Sequence, residues 1–200
     1  MKVFKITILT ICLFSFISCE KTDTPEVDIH MLYGDYSLSD IRWYDQPVDL
    51  NNDGVGNNNL LSEFQNKFGY YEPDYHAIVT DGTKYVETNS ESVTAFNVSI
   101  PYPYYIVDDG IWECTEIRTF KITIRATKGS FYLHSNCCQI YPGFNDPTDV
   151  FLSCVKEISI VVHSYDDQKF KVGLHCTIPD NCGTDQKLNE NYLYYEYTKK

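Results

Sequence analysis

The chain has 200 residues, which is enough for one sizeable hydrophobic core and too few for several ordinary domains. Its 16 basic and 28 acidic residues give a net charge of -12 at pH 7, which is the wrong sign for binding a phosphate backbone and argues against nucleic acid as a partner. Aromatic residues make up 15% of the chain, beside only 10 Gly and 8 Pro, so a disordered or fibrous protein is excluded.

The N-terminus predicts an export signal over residues 1–18. Lys2 and Lys5 carry the positive charge that precedes an apolar run, residues 6–18. That run is too short to cross about 30 Å of bilayer hydrocarbon as a helix, and its pattern is typical of a secretory signal peptide.

Cys19 stands directly after the small residue Ser18. This junction resembles the lipobox of bacterial lipoproteins, in the form found in Bacteroidetes; the alternative is an ordinary signal peptide beside an incidental cysteine. The resemblance implies lipid on Cys19, with residues 19–29 as a tether and residues 30–200 as the folded domain. It also implies a place in the cell envelope, anchored to the outer membrane and facing the periplasm or the cell surface.

The cysteine count predicts disulfides. Of eight cysteines, one is removed with the signal and Cys19 is taken by lipid, which leaves six in an exported domain. Cys176 and Cys182 flank a short Pro-Asp-Asn segment and are candidates for a local loop, with the other four pairing among themselves. Free thiols, zinc and a cysteine nucleophile are the alternatives, although no C-x2-C spacing is present. The six candidates are Cys114, Cys137, Cys138, Cys154, Cys176 and Cys182.

Apolar and polar residues alternate along much of the domain, as in strands with one buried face. The clearest examples are residues 117–126, 158–163 and 170–176, and an aromatic strand is predicted at residues 192–197. Short strands joined by polar turns predict an all-β fold, a single antiparallel β-barrel or, alternatively, a β-sandwich.

Turns and breaks are predicted between these strands. Asp81-Gly82 and Asp109-Gly110 are turn signals, and the prolines at positions 101 and 103 predict an edge or bulged strand over residues 98–107. One helix is predicted over residues 60–68, with Asn58 or Asn59 as its N-cap.

Four segments carry a family resemblance, three of them close to the start of the domain. These three are Gly-Asp-Tyr-Ser-Leu at residues 34–38, Asp-Leu-Asn-Asn-Asp-Gly at residues 49–54 and Asn-Leu-Leu-Ser-Glu at residues 59–63. Together with Ile-Pro-Tyr-Pro-Tyr at residues 100–104, they resemble the lipocalin-like lipoproteins of Bacteroidetes. The resemblance covers residues 33–107 by motif and implies a meandering antiparallel barrel with the short helix after the Asp-rich loop.

The Asp-rich loop predicts a calcium site. Asp49, Asn51 and Asp53 alternate, so that their oxygens can converge on one hard cation, while Gly54 permits a sharp reversal of the chain.

Further ligands would come from the Val55 carbonyl, from Asn57 and from Glu63, which replaces the acid expected at the twelfth position, here Leu60. This imperfect closure predicts weak, structural calcium binding, with a dissociation constant of about 10⁻⁴–10⁻³ M. A polar turn without metal is the alternative, because Asn, Asp and Gly favour turns in any case.

No catalytic motif is present, and the five histidines are scattered without metal-ligand spacing. Five aromatic residues could form a platform for sugars or peptides, although the favoured interpretation is that most of them pack the barrel or its end. The residues concerned are Trp43, Tyr102, Tyr104, Tyr105 and Trp112.

Three functional classes remain open. The favoured one is a non-enzymatic, membrane-anchored lipoprotein that binds a small apolar ligand, a glycan or an envelope protein. The others are a secreted hydrolase with an active site dispersed in sequence, and a structural envelope domain without a ligand.

Overall fold

The computed structural model describes residues 32–50, 53–68, 75–86, 89–126, 138–140, 149–161, 168–179 and 187–200. The predicted signal peptide, Cys19 and the tether lie outside these ranges. The described elements are β1 (Gly34–Trp43), α1 (Leu60–Phe68), β2 (His76–Val86), β3 (Asn89–Asp108), β4 (Ile111–Ala126), β5 (Cys138–Ile140), α2 (Val150–Ser153), β6 (Glu157–Val161), β7 (Lys169–Pro179) and β8 (Leu188–Lys199).

All the described strands belong to one antiparallel sheet with the order β5-β4-β3-β2-β1-β8-β7-β6. Strands that follow each other along the chain lie side by side, except that β5 and β6 stand at opposite ends of the sheet. The two halves of the sheet are joined where β8 pairs with β1. The prediction of an antiparallel all-β fold is therefore confirmed. The sheet curls into a half-barrel, and the finer prediction of a closed, lipocalin-like barrel stays a prediction.

An aromatic layer on the inner face of the sheet stabilises the curl. Phe170 of β7 makes edge contacts with Tyr36 of β1 and Phe96 of β3, at ring-centroid distances of 5.0 and 5.2 Å. It also stacks on Tyr197 of β8 at 5.1 Å. These four rings come from four different strands and are all buried, so their contacts bring β7 opposite β3.

One long hydrogen bond ties the same strands together. The Tyr197 hydroxyl on β8 donates to the Ser99 carbonyl on β3 at 2.7 Å. Because β1 and β2 lie between these two strands in the sheet, the bond spans the concave side of the curl.

The predicted helix is confirmed, since α1 spans Leu60–Phe68. Asn59 is the residue that caps it: its side-chain oxygen accepts the Leu61 backbone N–H at 3.1 Å. Leu60 and Phe64 on one side of the helix are fully buried.

The second helix, α2, has no counterpart among the sequence predictions. Its N-cap, Asp149, accepts the Leu152 backbone N–H at 3.1 Å through one carboxylate oxygen and the Tyr102 hydroxyl at 2.8 Å through the other. The Phe151 ring stacks on the same Tyr102 ring at 5.4 Å. A single turn of helix is stable here because its cap and its apolar face are both held by β3.

One turn prediction is confirmed and one is wrong. Asp109 and Gly110 both have a positive φ, 48° and 81°, and close the tight hairpin between β3 and β4. Asp81 and Gly82, in contrast, lie inside β2, paired with Thr94 and Val93. Pairing of β2 with residues 89–98 of β3 overrides the local turn preference.

The prolines lie where β3 has one described neighbour. Pro101 and Pro103 pair with Thr119 and Ile117 of β4, whereas β2 begins only at His76, near Ser99. Only residues 94–98 of β3 pair on both sides, so the edge prediction holds for residues 99–107, and the predicted bulge is found at Tyr104/Tyr105.

Alkaline pH is expected to weaken the fold through Tyr36. Its buried hydroxyl donates to the Leu32 carbonyl at 2.6 Å, and burial raises its pKa from 10.0 to about 12. Because the native state favours the neutral phenol, its stabilisation is complete below about pH 10 and is lost as the pH rises through about 12. Tyr36→Phe should cost about 1 kcal/mol in urea unfolding at pH 7, and this deficit should shrink at pH 11.

Tyr44→Phe is the matched control, because the Tyr44 side chain is 60% exposed and should leave stability unchanged at both pH values. A Tyr36→Phe deficit of the same size at pH 7 and pH 11 would contradict the assignment.

Candidate functional site

The Asp-rich segment forms a closed loop between β1 and α1. Val48 and Asn57 exchange two backbone hydrogen bonds, of 3.0 and 2.9 Å, across the loop. The Asn58 side chain donates to the carbonyls of Trp43 and Asp45, at 3.1 and 2.6 Å. The loop is thereby held against the end of β1 by its own backbone and amide groups.

Asp49 organises the loop interior. The residue is 8% exposed, and its carboxylate accepts the backbone N–H groups of Asp53, at 3.1 Å, and Gly54, at 2.8 Å. The Asp53 carboxylate in turn accepts the Val55 N–H at 2.8 Å. Gly54 has φ 85°, a conformation that favours glycine. These contacts describe a polar turn organised by carboxylates.

The predicted calcium ligands are only partly brought together in the described residues. Asn51 lies outside them, the Val55 residue is 65% exposed, and the Asn57 side chain bonds to Asn59 and Ser62. Glu63, in the first turn of α1, is 3% exposed. Within the described ranges, no group of three or more His, Cys, Asp or Glu side chains is placed to hold a metal. Calcium therefore stays a prediction, beside the polar turn without metal.

Calcium binding is tested by thermal unfolding with excess Ca²⁺ and with a chelator. If Asp49, Asn51 and Asp53 hold the ion, the chelator lowers the Tm of the wild type and leaves that of Asp53→Ala unchanged. Asp45→Ala is the control, since Asp45 lies outside the Val48–Asn57 closure and should respond like the wild type. Identical responses from all three proteins would mean that the loop is a polar turn without metal.

The aromatic residues singled out in the sequence mostly pack inward. Trp43, Tyr102, Tyr105 and Trp112 are all no more than 8% exposed. Tyr104 remains partly exposed, with the Arg118 guanidinium 3.2 Å from its ring centroid. The favoured reading, in which most of these rings pack the domain, is confirmed for four of the five.

An outward aromatic strip lies on β7 and β8 instead. His175 stacks on Tyr192 at 4.8 Å, Tyr192 stacks on Tyr194 at 5.6 Å, and the edge of this row meets Tyr44. Stacking covers ring faces that a sugar would need, so the strip is better explained as cross-strand stabilisation.

The cysteines are placed unevenly. Cys114 and Cys176 are buried and Cys154 is half-buried, while Cys138 belongs to β5. Cys154 and Cys176 are thiols in the structure, and no disulfide joins two described cysteines. Cys137 and Cys182, the predicted local partner of Cys176, lie outside the described residues.

A pocket of about 340 Å³ opens on the outer face of β2, β3 and β4. Two cross-strand rows form it. In the first row, Ser99 of β3 pairs with Lys121 of β4. On the other side of β3, Ala77 of β2 pairs with Val98, so the preceding residue of β2, His76, lies beside Ser99. Neighbouring side chains in such a row lie about 4.5–5.5 Å apart at Cβ.

The second row is Ile78, Asn97 and Thr123, which are direct register partners. The Thr123 hydroxyl donates to the Asn97 side-chain oxygen at 2.8 Å. Ile78 is 37% exposed, while Thr123 in this row and Ser99 in the other are only 7% and 4% exposed. The pocket thus combines two buried polar residues, Ser99 and Thr123, with one exposed apolar side chain, Ile78.

The ionisable side chains that line the pocket are basic. Lys121 and His76 supply a cation and an imidazole, and the described lining residues include no carboxylate. The described lysines Lys156, Lys169 and Lys171 form ion pairs with Glu190 or Glu196, but Lys121 forms none with a described residue. In a chain of net charge -12, such a cation is a candidate ligand for an anion.

Sequence reasoning did not find this pocket. The alternation in residues 117–126 placed Lys121 and Thr123 on the outer face, which the structure confirms. Their approach to His76 and Ser99 depends on the register of three strands, which local alternation does not specify.

Comparison with known proteins adds no assignment: no protein-family model, curated protein or solved structure matches the chain. Among the described helices, none has the length and apolar character needed to cross a membrane.

Proposed function

We propose that the protein is a non-enzymatic, exported lipoprotein of the outer membrane that binds a small amphipathic carboxylate in the outer-face pocket. The observation that carries the proposal is Lys121, which forms no ion pair with a described residue, beside Ser99 and His76 in a pocket of about 340 Å³. Pockets for small molecules begin at about 300 Å³ and combine apolar walls with a few polar groups.

Each of the two rows of pocket residues would contact one half of the ligand. The carboxylate would accept hydrogen bonds from Lys121, His76 and Ser99, and charge-assisted bonds of this kind are the strong ones. A short apolar chain would lie along Ile78, which is 37% exposed. Ligands with both halves should therefore bind more tightly than ligands with either half alone.

The inner face supports the choice of the outer pocket. Phe170 contacts Tyr36, Phe96 and Tyr197 there, and these buried rings occupy the space that an interior ligand would need. The proposal therefore narrows the three expected partners, an apolar ligand, a glycan or an envelope protein, to a small ligand with an anionic end.

The binding site is tested by calorimetric titration with octanoate. Octanoate should bind the wild type, while Lys121→Met should weaken binding by about 10-fold or more, as loss of a charge-assisted hydrogen bond predicts. Octanol, which lacks the carboxylate, should be similarly weak. Lys169→Met is the control, because Lys169 pairs with Glu196 away from the pocket.

Equal binding by the wild type and Lys121→Met would overturn the site. If octanoate does not bind at all, the structural domain without a ligand becomes the better interpretation. The hydrolase alternative would gain support if the wild type cleaved a p-nitrophenyl octanoate ester and His76→Gln did not.

Lipid anchoring is a separate prediction. Cys19→Ser should move the protein from the membrane fraction to the soluble fraction, because its attachment site for lipid is gone. Cys12→Ser is the matched control, since Cys12 lies in the segment that processing removes, and this variant should remain with the membrane. Membrane retention of Cys19→Ser would contradict the lipobox.

A further inference from the structure

We propose that Cys154 and Cys176 form a disulfide in the exported protein, fastening the end of α2 to β7. The inference goes beyond the proposed ligand site and is independent of it, although it shares the expectation of export. It also specifies one pairing among the six candidate cysteines, and that pairing excludes the local loop between Cys176 and Cys182.

Backbone pairing brings the two cysteines to the same place. Glu157 of β6 pairs with His175 of β7, and the ladder continues by one bond, from the Lys156 N–H to the His175 carbonyl at 2.8 Å. Cys176 follows His175, and Cys154 lies two residues before Lys156. The two cysteines therefore lie at the same end of the β6–β7 pair. A disulfide requires two closely spaced Cα atoms, and residues at one end of a strand pair meet this requirement more easily than residues on distant strands.

Both side chains lie on the core side of this junction. Cys176 is fully buried, and Cys154 packs against the core cluster as the C-cap of α2, with its N–H bonded to the Phe151 carbonyl at 3.0 Å. Burial raises the pKa of the Cys176 thiol, and the nearby Cys154 thiol raises it further. That electrostatic effect follows from the short distance between the two thiols.

Oxidation needs an acceptor, which in the cell envelope would be a disulfide of the dithiol-oxidase class. The half-buried Cys154 thiol loses its proton and attacks the acceptor disulfide, releasing one acceptor sulfur as a thiolate. The Cys176 thiol then loses its proton and attacks the Cys154 sulfur, releasing the second acceptor sulfur. Two protein thiols become one disulfide, and the acceptor takes up two electrons and two protons as a dithiol.

The bond would complete the attachment of α2. Asp149 at the start of the helix already binds Tyr102 of β3, and Cys154 at its end would bind β7. Because β3 and β7 are not neighbours in the sheet, a helix fastened to both holds the curl in place.

Peptide mapping tests the pairing. Protein from the membrane fraction of its own cells is denatured with N-ethylmaleimide and without reductant, and then cleaved after Asp and Glu. Cleavage at Asp149, Glu157, Asp167 and Asp180 separates Cys154 and Cys176 from each other and from the other cysteines. The expected result is one linked species, joining residues 150–157 to residues 168–180, that separates on reduction.

Alkylated Cys154, alkylated Cys176, or either cysteine linked to another partner would overturn the proposal. Reduction of the wild type should also lower Tm by about 5–10 °C, the shift expected for a disulfide in a domain of this size. The variant Cys154→Ser should leave Cys176 open to alkylation after denaturation, while Cys19→Ser should not.

Discussion

The contact of Phe170 with three aromatic rings from β1, β3 and β8 is the constraint on which the rest of the structure depends. A sheet of eight strands does not by itself bring β7 opposite β3, because β8, β1 and β2 lie between them. The buried rings do so, since their apolar area leaves water only when the sheet curls. The Tyr197 hydroxyl then reaches the Ser99 carbonyl at 2.7 Å, which links β8 to β3 across the concave side.

This curl also shapes the outer face. The Ser99 carbonyl accepts the hydrogen bond from the inner side, while the Ser99 residue itself lines the pocket with Lys121. The strand that carries the proposed ligand site is therefore supported on its inner side by the core. A site on paired strands is positioned more precisely than one on a loop, which suits recognition of a small ligand.

Two polar connections attach the remaining pieces to the curled sheet. The Asp49 carboxylate organises the loop before α1, and the Asp149 carboxylate caps α2 while accepting the Tyr102 hydroxyl. Each buried carboxylate is satisfied by N–H or O–H donors, as buried charge requires. Calcium at the first and a disulfide beside the second would strengthen connections that the backbone already makes.

Local sequence determined much of this protein, because several elements follow from neighbouring residues alone. They are the period-two strands at residues 117–126 and 170–176, the helix capped by Asn59 and the hairpin at Asp109-Gly110. Only the tertiary structure decided what depends on distant partners. Asp81-Gly82 became strand because β3 pairs beside it, and Asp149 could start a single helical turn because Tyr102 lies within reach. The pocket was decided in the same way, since His76, Ser99 and Lys121 meet only when the register of three strands is set.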